Sequence, residues 1–249
     1  MKYKDYPKQI WDQIHLAVNS LPKSGAVAAF DADGTLWDTD LGENFFNYLI
    51  DHQLVSLPQD PWGHYTSLKA SEPKKAYLWL AQILAGKSLA QVKTWAEEAV
   101  AEIKPIPVFD EQKKLIAMLK QKNVEIFVIT ASVTWSVQAG IGLLGLDPSC
   151  VIGVETKIKD GIVTTEQAGP ISYKEGKVEA LFGRNGSRRP FLACGNTEGD
   201  LALLESATDL RIAVSASARD DRLFKTESAL SDFAKTKNWI SHRFIFGSN

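Results

Sequence analysis

The sequence has few cysteines, little net charge and no long apolar run near its start, and each shortage argues against a class of protein. Two cysteines in 249 residues, Cys150 and Cys194, are too few for a disulfide framework and too isolated for CxxC chemistry. A formal net charge of -2 provides no field that would hold nucleic acid or an anionic membrane. Residues 1–25 contain no run suited to a signal sequence or a membrane span. We therefore expect a soluble cytoplasmic protein without nucleic acid or membrane partners.

The motifs of several familiar enzyme classes are also missing. The sequence contains no HExxH, no GxSxG and no GxxxxGK[ST], so zinc hydrolase, serine hydrolase and P-loop interpretations lack their motifs. A GxGxxG pattern runs from Gly140 to Gly145, but it follows a helix-like segment and not a strand. We do not expect a dinucleotide site there.

Short apolar runs alternate with helical patterns along most of the chain. The runs are residues 26–30, 124–129, 191–194 and 210–214, and helix-like stretches include 110–120 and 200–207. Continuous apolar runs are typical of strands buried on both faces, and alternation with helices favours right-handed crossovers between parallel strands. The sequence therefore predicts an α/β fold with a parallel sheet, in which Asp31, Thr130 and Asn196 lie at one edge.

Residues 40–105 interrupt this alternation. They show helical patterns around 45–50, 74–84 and 89–100 and no convincing strand. We predict an inserted helical domain at 40–105, and a core domain made of 1–39 and 106–249. Further along, Asp160-Gly161 between extended segments predicts a hairpin.

Carboxylates appear where the first apolar run ends. Asp31 and Asp33 stand two residues apart, and Gly34 permits a sharp turn or the close approach of a ligand. A divalent cation would offset the cost of placing two carboxylates together, and it would also neutralise a phosphate. An ordinary Asp-Gly turn is the alternative interpretation.

Polar residues follow the next runs as well, each with a plainer alternative. Thr130 and the backbone around Ala131 offer a hydroxyl and N–H groups to phosphoryl oxygens, although a Thr after a strand is also a common helix N-cap. Asn196 and Asp200 supply oxygen ligands for a hard cation, although Asp200 also suits a helix cap. Lysines such as Lys177 are most often merely solvated.

Together these segments resemble the haloacid dehalogenase superfamily. Its phosphatases carry DxDGT, then a Ser or Thr after the second motif strand, then a Lys and a GDxxxD-like acidic motif, and the matching segments here span residues 26–204. The resemblance implies a Rossmann-like parallel-sheet core with an inserted helical C1 cap. It also implies Mg²⁺-dependent hydrolysis of a small phosphate monoester through an aspartyl-phosphate intermediate.

The resemblance also implies a role for each motif residue. Asp31 would be the nucleophile and Asp33 the general acid and base. Phosphate would be bound by Thr130, Ala131 and Lys177, with Lys177 preferred to Lys174 because Gly-Lys-Val followed by Ala-Leu looks more like the third motif. Mg²⁺ would be arranged by Asp31, Asp33 (through its carbonyl), Asn196 and Asp200.

One departure from the family pattern concerns the fourth motif, whose first acid is usually Asp and here is Asn196. An amide oxygen is uncharged, so we expect weaker Mg²⁺ affinity. A phosphate-binding protein with weakened catalysis therefore stays open as an alternative. A phosphotransferase of the same superfamily is a separate alternative.

The inserted helices resemble the C1 cap of the phosphoserine and phosphorylcholine phosphatase branch, which implies a small phosphorylated metabolite as substrate. Glu43 lies where relatives carry an acid that meets a substrate ammonium. Trp37 could offer an aromatic face to choline by cation–π attraction. The alternative is that the aromatic residues here form the internal core of the cap.

Overall fold

The centre of the fold is a seven-stranded sheet, seen in a computed structural model that describes residues 3–22 and 24–246. The strands of this described part are β1 (Val27–Phe30), β2 (Glu125–Val133), β3 (Val151–Lys159), β4 (Ile162–Ala168), β5 (Leu192–Gly195), β6 (Leu210–Ser215) and β7 (Ile240–Arg243). Their order is β4-β3-β2-β1-β5-β6-β7, and every pair is parallel except β3–β4. The predicted α/β class with a parallel sheet is confirmed.

Helices cover both faces of this sheet. Those of the described residues are α1 (Lys8–Asn19), α2 (Leu41–Asp51), α3 (Pro61–Ser71), α4 (Pro73–Gln82), α5 (Leu89–Glu102), α6 (Asp110–Gln121), α7 (Thr134–Ile141), α8 (Glu175–Asn185), α9 (Leu201–Ser206) and α10 (Phe224–Thr236). Because helices lie on both sides, every residue of β1 and β5 is buried, which accounts for their uninterrupted apolar sequences.

The strand register determines where the polar residues emerge. Phe30 pairs with Val128 of β2 and with Cys194 of β5, so the next residue, Asp31, lies level with the end of β5. The polar residues that follow β1 and β5 therefore meet at one edge of the sheet, as the sequence predicts. This is the edge at which open α/β sheets bind ligands.

The segment 41–102 contains α2, α3, α4 and α5 and no strand within its described residues. Its buried residues pack with Val133, Trp135, Val154 and Val163 of the sheet and of α7 in one hydrophobic cluster. Backbone hydrogen bonds also join it to the β3–β4 hairpin, where Gly86 N donates to the Val163 carbonyl at 2.9 Å. The inserted helices are therefore firmly attached, and the division into core and cap domains stays a prediction.

The β3–β4 hairpin itself confirms a sequence prediction. Asp160 and Gly161 form its turn with φ of 52° and 78°, the left-handed pair that an Asp-Gly turn adopts.

No helix among residues 3–22 and 24–246 has both the length and the apolar character that crossing a membrane requires.

Candidate active site

Asp31 lies at the floor of the candidate site, directly after β1. Its carboxyl group is nearly buried: Oδ1 accepts a hydrogen bond from Lys177 Nζ at 2.5 Å, and Oδ2 accepts one from the Thr35 hydroxyl at 2.9 Å. Burial raises the pKa of Asp31 to about 7, and the nearby charge of Asp200 adds to this rise, while the Lys177 ammonium opposes it. The carboxylate is thus held on both oxygens in a place where negative charge is in excess.

The Asp33 carboxyl group accepts hydrogen bonds on both of its oxygens. Its Oδ1 accepts hydrogen bonds from Trp37 Nε1 and from the Leu41 backbone N–H, both at 2.9 Å. Its Oδ2 accepts one from the Ser132 hydroxyl at 2.7 Å. Burial raises the pKa of Asp33, and these donors reduce the rise. Both oxygens of the Asp33 carboxyl group are therefore held in place.

The expectation that Trp37 could offer an aromatic face to a ligand is wrong. Its side chain is fully buried and lies outside the residues that line the cavity, so it offers no aromatic face to a ligand. The reason is local: the turn after Asp33 brings the indole N–H of Trp37 back to the Asp33 carboxylate four residues earlier. Trp37 orients Asp33.

Lys177 connects the first and fourth motifs. Its ammonium group, 3% exposed, lies 2.5 Å from Asp31 Oδ1, 2.6 Å from Asp200 Oδ1 and 3.0 Å from the Ile129 carbonyl. Burial alone would lower the pKa of Lys177, but the two carboxylates raise it overall, so the side chain stays charged. Lys174 lies elsewhere, with its Nζ 5.5 Å from the centre of the Tyr173 ring.

The second motif has a different local structure from the one expected. Thr130 and Ala131 lie inside β2, where the pairing with β3 shifts register between Ile129 and Val133. The helix N-cap alternative for Thr130 is excluded because α7 begins at Thr134. Thr130 and Ala131 both line the cavity.

Asn196 is oriented by a carboxylate that the sequence did not indicate. Its side-chain nitrogen donates to Oε1 of the buried Glu227 at 3.1 Å, and its oxygen accepts from the Thr35 hydroxyl at 3.3 Å. Gly34 has φ of 74°, and a Cβ there would clash with the Asn196 amide, so glycine is required. The Asn196 oxygen therefore faces the side where Asp31 Oδ2 lies.

The side-chain oxygens nearest Asp31 bear on whether the site suits a magnesium ion. The described residues contain no group of three or more His, Cys, Asp or Glu side chains placed for a metal, because Asp33 faces its own donors and Asp200 faces Lys177. Two oxygen atoms remain as possible metal ligands, Asp31 Oδ2 and Asn196 Oδ1. Both lie within hydrogen-bond distance of the Thr35 hydroxyl. Oxygen donors and an excess of buried negative charge fit a hard cation such as Mg²⁺.

These groups line one cavity of about 380 Å³. Its opposite wall comes from α2, α3 and α4, and includes Tyr65, Lys69 and Tyr77. Glu43, expected to be free for a ligand ammonium, is instead paired with Arg222 and lies 3.5 Å from Lys69. Sequence reasoning missed both cations, although Arg222 lies in the polar loop after β6, at the same edge of the sheet.

Comparisons with known proteins agree with this geometry. The model of the haloacid dehalogenase-like hydrolase family matches residues 28–205, which is more than half of the chain. The chain belongs to the haloacid dehalogenase-like hydrolase family, as its four motifs predicted. The phosphorylcholine phosphatase of Pseudomonas aeruginosa is 28% identical over 195 residues, which cover 62% of this chain and 56% of that protein. The match thus spans little more than half the length of that relative.

Solved structures share the fold. A conserved protein of unknown function from Anaerococcus prevotii superposes with a TM-score of 0.74 and 12% identity over 98% of both chains. A phosphoserine phosphohydrolase-like protein from Francisella tularensis has a TM-score of 0.52 and 20% identity, over 76% of this chain and 87% of that one. At such identities the likeness concerns the fold.

Proposed function

We propose that this protein is a Mg²⁺-dependent phosphomonoesterase that forms an aspartyl-phosphate on Asp31. The observation that carries the proposal is the arrangement of Asp31 at the floor of the cavity, held by Lys177 and Thr35 with Asp33 nearby. A carboxylate held on both oxygens is oriented for attack, which favours a covalent mechanism. Family membership supports the same class of reaction.

In the first step, an Asp31 oxygen forms a bond to phosphorus while the bond from phosphorus to the ester oxygen breaks. The protonated Asp33 carboxyl gives its proton to the leaving oxygen, and burial, which raises the pKa of Asp33, favours this protonated form. Trp37 and Ser132 hold the Asp33 carboxyl in one orientation. Lys177 would compensate the charge of the phosphoryl oxygens, and the Thr130 hydroxyl would donate a hydrogen bond to one of them.

In the second step, Asp33 acts as the base. Its carboxylate takes a proton from water, the water oxygen attacks phosphorus, and the bond to Asp31 breaks to release phosphate. Both aspartates then return to their starting states.

Mg²⁺ would be held by Asp31 and Asn196, with Asp33 through its carbonyl and Asp200 through water, and when bound it would neutralise charge on the phosphoryl group. Asp200 also holds Lys177 and accepts backbone N–H groups from Asn196 and Thr197. Its carboxylate therefore keeps the fourth motif in place.

The helices α2, α3 and α4 would act as the cap over this site. The cavity of about 380 Å³ suits a small phosphorylated metabolite, of the phosphocholine or phosphoserine kind.

Phosphate release from a panel of small phosphomonoesters tests the proposal, first with Mg²⁺ and then with EDTA. We expect metal-dependent release that the Asp31→Asn variant lacks. Product that appears only with an added acceptor alcohol, without free phosphate, would favour a phosphotransferase. Binding of the esters without any turnover would favour a binding protein.

A further inference from the structure

Lys69 occupies the aromatic and acidic corner of the cavity. Its ammonium nitrogen lies 5.2 Å from the centre of the Tyr65 ring and 5.4 Å from that of Tyr77. It also lies 3.5 Å from Glu43 Oε1. Aromatic faces beside a carboxylate are the surroundings that attract a ligand ammonium. In this protein the ammonium group of Lys69 already occupies those surroundings.

Arg222 brings a second cation to the same place, where its guanidinium group pairs with Glu43 Oε2. Two cations therefore face one carboxylate. Asp40 is engaged elsewhere, because its Oδ1 accepts a hydrogen bond from the Glu43 backbone N–H at 2.8 Å. Lys69 and Arg222 therefore share the Glu43 carboxylate as an ion-pair partner in the wall of the cavity.

Other acids of the cavity wall have partners of their own. Asp38 Oδ2 accepts a hydrogen bond from the Tyr3 hydroxyl at 3.0 Å, and Asp221 Oδ1 accepts one from the Leu223 backbone N–H at 2.7 Å. Lys69 and Arg222 are the cations of the cavity wall opposite Asp31.

We propose that the substrate is the phosphate ester of a hydroxy acid, whose carboxylate binds to Lys69 and Arg222. The inference rests on the proposed function and specifies its substrate class. A quaternary ammonium would have to displace Lys69 from both tyrosine rings and would then face Arg222. A carboxylate leaves those contacts in place and adds two charge-assisted hydrogen bonds.

The test compares kcat/KM of the Mg²⁺-loaded protein for 3-phosphoglycerate, glycerol 3-phosphate and phosphocholine, which differ mainly in the charge of the distal group. We expect 3-phosphoglycerate to exceed both others by about tenfold or more. In Lys69→Met and in Arg222→Gln the preference should fall about tenfold, mainly through KM. In Lys69→Met the kcat/KM for phosphocholine should also rise, because the Lys69 ammonium no longer lies over the rings of Tyr65 and Tyr77.

Lys87→Met is the matched control, since Lys87 also lies over an aromatic ring, that of Trp95 at 5.6 Å, but outside the cavity wall. It should leave the preference unchanged. A preference for phosphocholine that survives Lys69→Met and Arg222→Gln would overturn the inference.

Calorimetric binding to Asp31→Asn with Mg²⁺ separates this inference from the proposed function. If no ester is hydrolysed but 3-phosphoglycerate binds more tightly than phosphocholine, the proposed function fails and the substrate class stands. If phosphocholine binds as tightly or more tightly, the substrate class is wrong, whatever the turnover.

Discussion

The side-chain nitrogen of Asn196 donates a hydrogen bond of 3.1 Å to Oε1 of Glu227, and this contact determines which way the amide faces. Glu227 is fixed in turn, because its Oε2 accepts the backbone N–H groups of Ala216 and Ser217 at 3.0 and 2.9 Å. The buried acid that the family places at position 196 is an amide here, and a buried carboxylate stands directly behind it. A second buried acid thus stands behind Asn196, and burial raises its pKa.

Restoring the family acid should therefore destabilise this protein. Asn196→Asp replaces an N–H donor with a carboxylate beside the buried Glu227, and we expect a loss of about 1–3 kcal/mol in the free energy of unfolding at neutral pH. Urea unfolding in EDTA measures it. Glu227→Gln combined with Asn196→Asp should recover most of the loss, because the Gln amide can donate to the new carboxylate. Additive effects of the two substitutions would contradict this pairing.

Lys177 should contribute strongly to stability. Lys177→Met leaves the carboxylates of Asp31 and Asp200 buried without their shared cation, which typically costs about 3–5 kcal/mol. Lys174→Met, at an exposed position three residues earlier, should change stability by about 0.5 kcal/mol or less. Thermal or urea unfolding of both variants measures the two changes in stability. Equal effects would mean that the buried ion cluster is not as described.

Asp31 should make the metal-free protein less stable as pH rises. Its pKa in the folded protein is about 7, above the ordinary value of 3.8, so the folded state holds the proton more tightly and stability is lost as pH rises through the folded pKa. Asp31→Asn removes this penalty, and in EDTA its stability relative to the wild type should improve from pH 5 to pH 8.5, by on the order of 1–3 kcal/mol.

The control for that comparison is Asp12→Asn, an exposed carboxylate paired with Lys8. Its effect on stability should be small at both pH values. A gain for Asp31→Asn that is the same at both pH values would argue against a raised pKa for Asp31.

Asp33 should be needed for chemistry and dispensable for binding. Asp33→Asn keeps an oxygen acceptor for Trp37, and its amide N–H can donate to the Ser132 hydroxyl, but it removes the transferable proton, so kcat should fall by about 10²–10⁴ while KM changes little. Steady-state kinetics with the best ester measures both. A large rise in KM with unchanged kcat would place Asp33 in substrate binding instead.

The sequence predicted most of the sheet because central strands buried on both faces must be apolar throughout, as in β1 and β5. It missed α3, whose apolar residues are not gathered on one face, and β7, an edge strand of mixed polarity. Glu227 and Arg222 were missed for another reason. Their positions depend on how the chain after β6 folds back to the site, and no local pattern encodes that path.

The most direct test of the central claim is to mix the Mg²⁺-loaded protein with an ester carrying a radioactive phosphoryl group, quench in acid and map the label. The mechanism predicts label on the peptide that contains Asp31, lost on further incubation and absent from Asp31→Asn. Full phosphate release by Asp31→Asn, with no label on the wild-type protein, would contradict it.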